Sequence, residues 1–278
     1  TVLAPHNPGV KPWDKLTDNE KALACRMQEA FAAFLDHTDK QIGRLVEGLR
    51  RLGQLDNTVL VLHADNGASQ EGGPFGVMHE MKFFNGIIEM PDEAIKHIDD
   101  IGGPNSHCNY PWGWAQAGNT PFKWYKQNTH EGGVHVPLVI RYPKEIGAAA
   151  GQVRDQFHHV TDIAPTIYDI IGVTPPATYH GYEQMPISGT SLRYAFQAPT
   201  APTSKKVQYF EMTGHRAIYA DGWKAVTRHE PGTSFDEDNW ELYHVAVDRS
   251  ECTNLASEQP DKLAELIALW WREADEHL

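Results

Sequence analysis

The sequence predicts an α/β protein in which a large α/β unit is followed by a small antiparallel unit of strands and one helix. A long stretch with apolar residues at helical spacing precedes the continuous apolar run 59–62, and a second apolar run spans 136–142. Continuous runs of this kind are typical of strands buried on both faces of a parallel sheet. Further along, Asp221 and Gly222 separate two strand-like segments, which is a strong signal for a two-residue hairpin.

The composition is that of a globular protein. Of 278 residues, 41% are hydrophobic and 22% are charged, so a sizeable core is available. The formal net charge of −13 argues against a nucleic-acid partner, because such binding requires clustered Lys and Arg. Three widely spaced cysteines form no disulfide framework, and no run approaches the ~18 apolar residues of a membrane span. The first residues lack the basic and apolar pattern of a signal peptide.

The first predicted element is a long helix. Thr17 and Glu20 have the spacing of a capping box, and apolar residues then recur at helical spacing up to Gly53, a plausible C-cap. A helix of this extent would be ~50 Å long. The strand at 58–63 follows. Residues 69 to about 120 are expected to form an ordered functional loop, rich in aromatic residues, with one short helix near 91–101.

The remaining elements complete the two units. A second strand at 136–142 is stopped by Pro143, and a helix is predicted over 161–171, with Pro165 in its first turn and Gly172 after its end. The Pro-rich stretch 198–204 predicts a boundary between a unit at 1–200 and a unit at 205–278. The second unit contains strands at 216–220, 223–227 and 240–245. Its final helix begins near Pro260 and directs Leu263, Leu266, Ile267 and Trp270 inward, with Trp271 at the surface.

Asp65 and Asn66 follow the first apolar strand. Ligands of open α/β sheets bind beyond the carboxyl ends of the strands. Carboxylate and amide oxygens are hard donors that suit Ca²⁺ or Mg²⁺. The alternative is an ordinary turn, because Asp and Asn before Gly67 are common turn residues.

A second candidate stretch is 119–137. Gly132 and Gly133 precede the second strand and suggest a close backbone approach, and Lys126 could reach the same crevice and pair with an anionic group. The alternative is a solvated surface lysine. His63, His130 and His135 flank the predicted site. We interpret them as structural histidines, and the alternative is a role in supporting the site residues or facing the substrate. His158 and His159, adjacent in sequence, are interpreted as the start of a helix rather than a zinc site.

Taken together, these stretches resemble the type I sulfatases, in the arylsulfatase group of the alkaline phosphatase superfamily. The matching stretches, in family order, are DKQIGRL (39–45), LDNT (55–58), DNG (65–67), the lysine at 126 with EGG (131–133) and VPL (136–138), HVTDIAPT (159–166), GTSL (189–192), WK (223–224), LY (242–243), DRSE (248–251) and NLA (254–256). The stretches FFNG (83–86) and GGPN (102–105) resemble the bacterial arylsulfatase branch. The resemblance implies the latter part of the sulfatase α/β sandwich followed by the small antiparallel α+β unit.

The resemblance also implies roles for individual residues. Asp65 and Asn66 match ligands of a divalent metal, normally Ca²⁺ with Mg²⁺ or Mn²⁺ possible, and Lys126 matches the lysine that contacts the sulfate. The family's nucleophile is a formylglycine made within a Cys/Ser-x-Pro/Ala-x-Arg motif, and no Cys or Ser of this chain satisfies that motif. Two further metal carboxylates of the family also have no match. We therefore expect a fragment, inactive alone, whose missing N-terminal half would complete the site.

Two other functions stay open at this stage. One is a phosphonate or phosphate monoester hydrolase of the same superfamily, and the other is a truncated, non-catalytic binding subunit. For a sulfatase and for a phosphonate or phosphate hydrolase alike, the substrate would be a small-molecule ester. An isolated half of a sheet would also expose an apolar edge, so self-association is expected.

Overall fold

The computed structural model of the chain describes residues 2–277. The α-helices are α1 (Asp18–Arg51), α2 (Met81–Phe84), α3 (Pro91–Ala94), α4 (Trp112–Asn119), α5 (Glu131–Val134), α6 (Pro143–Ile146), α7 (Ile163–Ile171) and α8 (Pro260–His277). The strands are β1 (Leu60–His63), β2 (Leu138–Arg141), β3 (Thr178–Tyr179), β4 (Tyr182–Glu183), β5 (Val207–Met212), β6 (His215–Ala220), β7 (Trp223–Thr227) and β8 (Glu241–Tyr243).

Helix α1 begins as predicted, at a capping box. The Thr17 side chain accepts the backbone N–H of Glu20, and the Glu20 carboxylate accepts the N–H of Thr17 at 2.7 Å. Its first turns are buried through Leu23 and Met27, whereas the apolar residues further along, such as Phe34, remain exposed. Within residues 2–277, no helix combines the length and apolar content that a bilayer span requires.

Strands β1 and β2 form a two-stranded antiparallel ladder, with Leu60 opposite Arg141. The prediction of parallel strands buried on both faces is wrong for this pair, because Leu62 and Val139 are 52% and 60% exposed. An apolar run can form a strand beside a neighbour of either direction. The direction depends on the chain path between the two strands, which the apolar pattern does not encode.

The segment between β1 and β2 is ordered by a core that it shares with α1. Buried residues of this core are Leu23, Met27, Met78, Ala94, Ile101, Tyr110, Ala115, Trp124 and Tyr125. The indole N–H of Trp112 donates to the carbonyl of Gln70 at 2.8 Å, and that of Trp114 donates to the carbonyl of Ala24 at 2.9 Å. Helix α3 and the 3₁₀ turns after it occupy the predicted helix near 91–101. Helix α4 was not predicted, because its two glycines and polar residues hide a helical pattern.

Helix α7 starts at a buried carboxylate. Asp162 is fully buried and accepts the backbone N–H groups of His159 and Thr190, both at 2.9 Å, and it forms an ion pair with Lys205 at 3.1 Å. Burial opposes ionisation, but these contacts and a hydrogen bond with His158 lower the pKa of Asp162 to about 2. The two adjacent histidines therefore mark a helix start, as the sequence suggested.

The C-terminal part is a four-stranded antiparallel sheet in the order β5-β6-β7-β8, with α8 packed on one face. Asp221 and Gly222 join β6 to β7 with φ of 45° and 87°, as the hairpin prediction requires. Leu266 and Trp270 of α8 are buried against the sheet, each contributing about 1.5–3 kcal/mol, and Trp271 is exposed, as predicted. The sequence analysis missed strand β5.

Candidate functional site

Asp65 and Asn66 lie in a bend directly after β1. The Asp65 side chain is exposed, and the Asn66 amide N–H donates to the carbonyl of Gly67 at 2.9 Å. Within residues 2–277, no hydrogen bond or ion pair occupies the Asp65 carboxylate or the Asn66 side-chain oxygen. The bend thus presents two oxygen donors that the rest of the described chain leaves available.

Gly67 brings this bend against the segment that precedes β2. Its N–H donates to the carbonyl of Gly133 at 3.0 Å. A Cβ atom at Gly67 would lie 1.7 Å from the carbonyl oxygen of Gly132, so no other residue fits without moving the backbone. The Asn119 side chain joins the two segments, accepting from the N–H of Ala68 at 3.0 Å and donating to the carbonyl of Gly132 at 2.6 Å.

Lys126 lies beside the same bend. Its backbone N–H donates to the carbonyl of Ala68 at 3.0 Å, so the two sequence-predicted segments are in contact. Its ammonium forms an ion pair with Glu71 at 2.6 Å, and a third of the Lys126 side chain is exposed. Lys126 is therefore a partly buried, paired cation rather than a free surface charge.

Glu71 is the residue of this region that the sequence analysis missed. Its side chain is 1% exposed, and it accepts a hydrogen bond from Gln127 at 3.2 Å and another from the Ser69 hydroxyl. Burial opposes ionisation of Glu71, but the contacts with Lys126 and Ser69 outweigh it and lower the pKa. Its only signal in the sequence is an acidic residue in a stretch of small and polar residues, which is too common to single out.

The C-terminal sheet fixes the other end of the Lys126 segment. Lys224 of β7 is 1% exposed and its ammonium lies 2.8 Å from Glu131 and 3.1 Å from Glu251. Glu251 also accepts the backbone N–H of Glu131 at 2.9 Å. Burial raises the pKa of Glu251, while the ammonium of Lys224 offsets burial at Glu131 and lowers its pKa. The start of α5 is thus tied to the sheet by a buried group of three charges.

The histidines near the site have structural partners. His130 is buried and its Nε2 lies 3.1 Å from Glu241, and burial lowers its pKa to about 4, so the ring is neutral at pH 7. His135 lies 2.8 Å from a carboxylate oxygen of Glu131 and stacks on Phe122, and His63 contacts the carbonyl of the next residue. These contacts agree with the interpretation of the three histidines as structural residues.

The residues that are present fit part of a hard-cation site. Asp65 and Asn66 supply two unpaired oxygen donors, whereas Ca²⁺ takes six to eight oxygen ligands. Across residues 2–277 no group of three or more His, Cys, Asp or Glu side chains is arranged to hold a metal. Asp65 and Asn66 would therefore be part of a ligand set, and the remaining ligands would come from outside this chain or from water.

Burial disfavours the thiolate form of two of the three cysteines, because it raises the pKa of the Cys108 and Cys252 thiols. The third, Cys25, is exposed on α1. A cleft of ≈ 480 Å³ also lies elsewhere, between the N-terminal segment and α4, where Trp13, Phe75 and Trp114 line it.

Comparison with models of protein families identifies the family of this chain. The model of the family described as Sulfatase matches residues 3–173, which is more than half of the chain. The chain belongs to the sulfatase family. A second model, described as the C-terminal part of N-sulphoglucosamine sulphohydrolase, matches residues 121–273.

Individual relatives agree with this assignment. An uncharacterized sulfatase of Schizosaccharomyces pombe is 33% identical over 269 residues, covering 94% of this chain and 46% of the relative. The arylsulfatase of Klebsiella aerogenes is 28% identical over 189 residues, covering 68% of this chain and 39% of the relative. The solved structure of Ps i-CgsB superposes with a TM-score of 0.57 at 21% identity, covering 98% of this chain and 48% of that one. The chain thus spans less than half the length of these relatives.

Proposed function

We propose that the gene product carrying this chain hydrolyses sulfate esters of the arylsulfatase type. In this proposal Asp65 and Asn66 are ligands of Ca²⁺, and Lys126 contacts the sulfate group. The observation that carries the proposal is the backbone hydrogen bond from Lys126 to Ala68, which brings the Lys126 segment into contact with the bend that has two unpaired oxygen donors. The Lys126 side chain is partly exposed. Membership of the sulfatase family supports the choice of reaction.

The chemistry of these residues suits the reaction. Cleavage of a sulfate ester builds negative charge on the sulfuryl oxygens and on the leaving oxygen. The ammonium of Lys126 would donate to a sulfuryl oxygen as negative charge develops there. A bound divalent cation would supply Lewis-acid stabilisation of the same oxygens. The formylglycine nucleophile would come from polypeptide outside this chain.

The exposed apolar surface of this chain is large enough to need a partner. Apolar side chains of α1 and of the β1–β2 ladder are widely exposed, among them Phe34, Leu45, Leu62 and Val139, at 52–70%. Exposed apolar surface of this extent marks an interface. We propose that the rest of the enzyme covers it, since the relatives are more than twice as long as the part this chain matches.

Hydrolysis of p-nitrophenyl sulfate tests the reaction. The full gene product is expected to be active, and the 278-residue chain alone is expected to be inactive. Robust turnover by the isolated chain would contradict the assignment of roles. A parallel assay with p-nitrophenyl phosphate separates a sulfatase from a phosphate or phosphonate hydrolase, which would prefer the phosphate ester.

Substitution of Lys126 tests its role. A hydrogen bond to a charged group contributes about 1.5–3 kcal/mol, so Lys126→Ala is expected to lower kcat/KM by about 10- to 100-fold. Lys96→Ala is the control, because Lys96 is exposed and pairs with Glu93 away from the site. Equal activity of Lys126→Ala and Lys96→Ala would refute the role.

A further inference from the structure

Glu71 is a buried carboxylate that faces the candidate sulfate contact. It lies five positions after Asn66, its side chain is 1% exposed, and one of its oxygens is 2.6 Å from the Lys126 ammonium. Carboxylates are almost never fully buried unless they are paired. The position of Glu71 therefore needs a physical reason.

The surroundings of Glu71 form a connected hydrogen-bond network. The Asn109 amide donates to the Ser69 hydroxyl at 2.9 Å, and that hydroxyl donates to one oxygen of Glu71. The other oxygen accepts from Gln127 at 3.2 Å, and the Gln127 carbonyl oxygen accepts from Gln70 at 2.7 Å. These contacts fix the direction in which the carboxylate points, and the carboxylate in turn holds the ammonium of Lys126.

A fixed ammonium differs from a free one in what it can do for a reaction. A lysine side chain is flexible, and a free ammonium would have to be ordered each time charge develops on the substrate. A preorganised donor stabilises the transition state without that reorganisation. An effect on kcat rather than on KM is therefore the expected signature.

We propose that Glu71 is the positioning residue of Lys126, which holds the ammonium in the orientation that stabilises the transition state of sulfate ester cleavage. This inference rests on the proposed function of Lys126. Glu71 acts through the lysine and does not touch the substrate. Its contribution should therefore disappear when the lysine is removed.

A double-substitution cycle in the full gene product tests this dependence with p-nitrophenyl sulfate. Glu71→Gln is expected to lower kcat by about 10-fold or more with little change in KM, because a charge-assisted contact is lost. In the Lys126→Met background the same substitution should have little further effect. An equal loss in both backgrounds would show that Glu71 only supports the fold. Glu71→Asp keeps the charge and should recover part of the activity.

Glu89 offers a matched control. It is another poorly exposed carboxylate, at 11%, that pairs with a lysine, Lys82, and it also accepts the backbone N–H of Met78. Neither partner belongs to the bend at Asp65 and Asn66. Glu89→Gln removes an ion pair of the same kind and is expected to leave kcat unchanged. A loss equal to that of Glu71→Gln would contradict the proposal.

A readout that does not depend on catalysis separates this proposal from the proposed function. Acylation of lysines in the gene product by acetic anhydride, followed by mass spectrometry of peptides, measures how accessible each amine is. Lys126 should react more slowly than the exposed Lys40, and Glu71→Gln should speed its reaction by about 10-fold. Lys123, which pairs with Glu241, should not change.

The outcomes are distinct. If Lys126 in the unsubstituted protein reacts as fast as Lys40, the ion pair is absent in solution and the positioning role is refuted, even where Glu71→Gln cannot be obtained folded. If Lys126 is protected but Lys126→Met retains full activity, the proposed function of the lysine is refuted, and the positioning role with it. Protection of Lys126, together with an effect of Glu71→Gln on kcat that disappears in the Lys126→Met background, supports both the positioning role and the proposed function.

Discussion

Replacing Lys224 by methionine is expected to destabilise the chain strongly at neutral pH. The ammonium of Lys224 is 1% exposed and is the cation between two carboxylates, Glu131 at 12% and Glu251 at 0% exposure. Methionine preserves most of the volume but leaves two buried carboxylates facing each other. Removal of one partner from a buried ion pair costs about 3–5 kcal/mol, and we expect a loss of this size in the free energy of unfolding.

The pH dependence gives the prediction its sign. Without the ammonium, burial and the neighbouring Glu131 keep the pKa of Glu251 raised above its unfolded value, while His135 still offsets part of the burial at Glu131. A group whose pKa is raised in the folded state contributes stability at low pH and loses it as pH rises through the folded pKa. The deficit of Lys224→Met relative to the unsubstituted chain should therefore be small near pH 5 and grow toward pH 8.

Urea titration followed by tryptophan fluorescence measures these free energies, since Trp223 and Trp270 report on the C-terminal sheet. Lys206→Met is the matched control, because Lys206 pairs with Asp221 at the surface, where such a pair contributes about 0–1 kcal/mol. A loss below about 1 kcal/mol for Lys224→Met, or a deficit that shrinks as pH rises, would refute the reasoning.

Three further predictions concern the site and the exposed surface. Gly67→Ala should abolish hydrolysis by the full gene product and lower the Tm, because its Cβ would lie 1.7 Å from the carbonyl of Gly132. Gly48→Ala, inside α1 with open space around it, should leave hydrolysis unchanged and should not lower the Tm. Asp65→Ala should weaken Ca²⁺ binding by the full gene product, measured by calorimetry, by about 10-fold or more, and Asp236→Ala should not. The isolated chain should self-associate in sedimentation velocity, because apolar residues such as Phe34 are exposed, and a stable monomer at all concentrations would contradict this.

The elements with local signals were predicted well. The capping box at Thr17 and the hairpin at Asp221 each depend on residues a few positions apart, so the sequence contains all the information they need. The antiparallel direction of β1 and β2 was not predicted, because it depends on the path of the intervening chain. Strand β5 was not predicted either, because the hairpin signal at Asp221 and Gly222 identifies only the two strands that it joins, β6 and β7.

For the candidate site, the sequence supplied the individual residues but not their contacts. Asp65, Asn66 and Lys126 were singled out from their position and family resemblance, and the structure brings their segments together through Ala68. Their roles remain predictions. Glu71 was missed because a buried carboxylate is recognisable only from its burial and its partners, and neither is visible in a string of residues.

The contacts between the C-terminal sheet and the segment 123–131 also bear on the order in which parts of the chain can fold. Lys224, Glu241 and Glu251 are synthesised roughly a hundred residues after the segment 123–131 that they hold. While the ribosome is still producing the intervening chain, that segment lacks the charges that anchor it. The segment 123–131 is therefore fully anchored only once the sheet has emerged and folded. A nascent chain that stalls before β7 would carry the proposed sulfate contact, Lys126, without the charges that anchor the two ends of its segment.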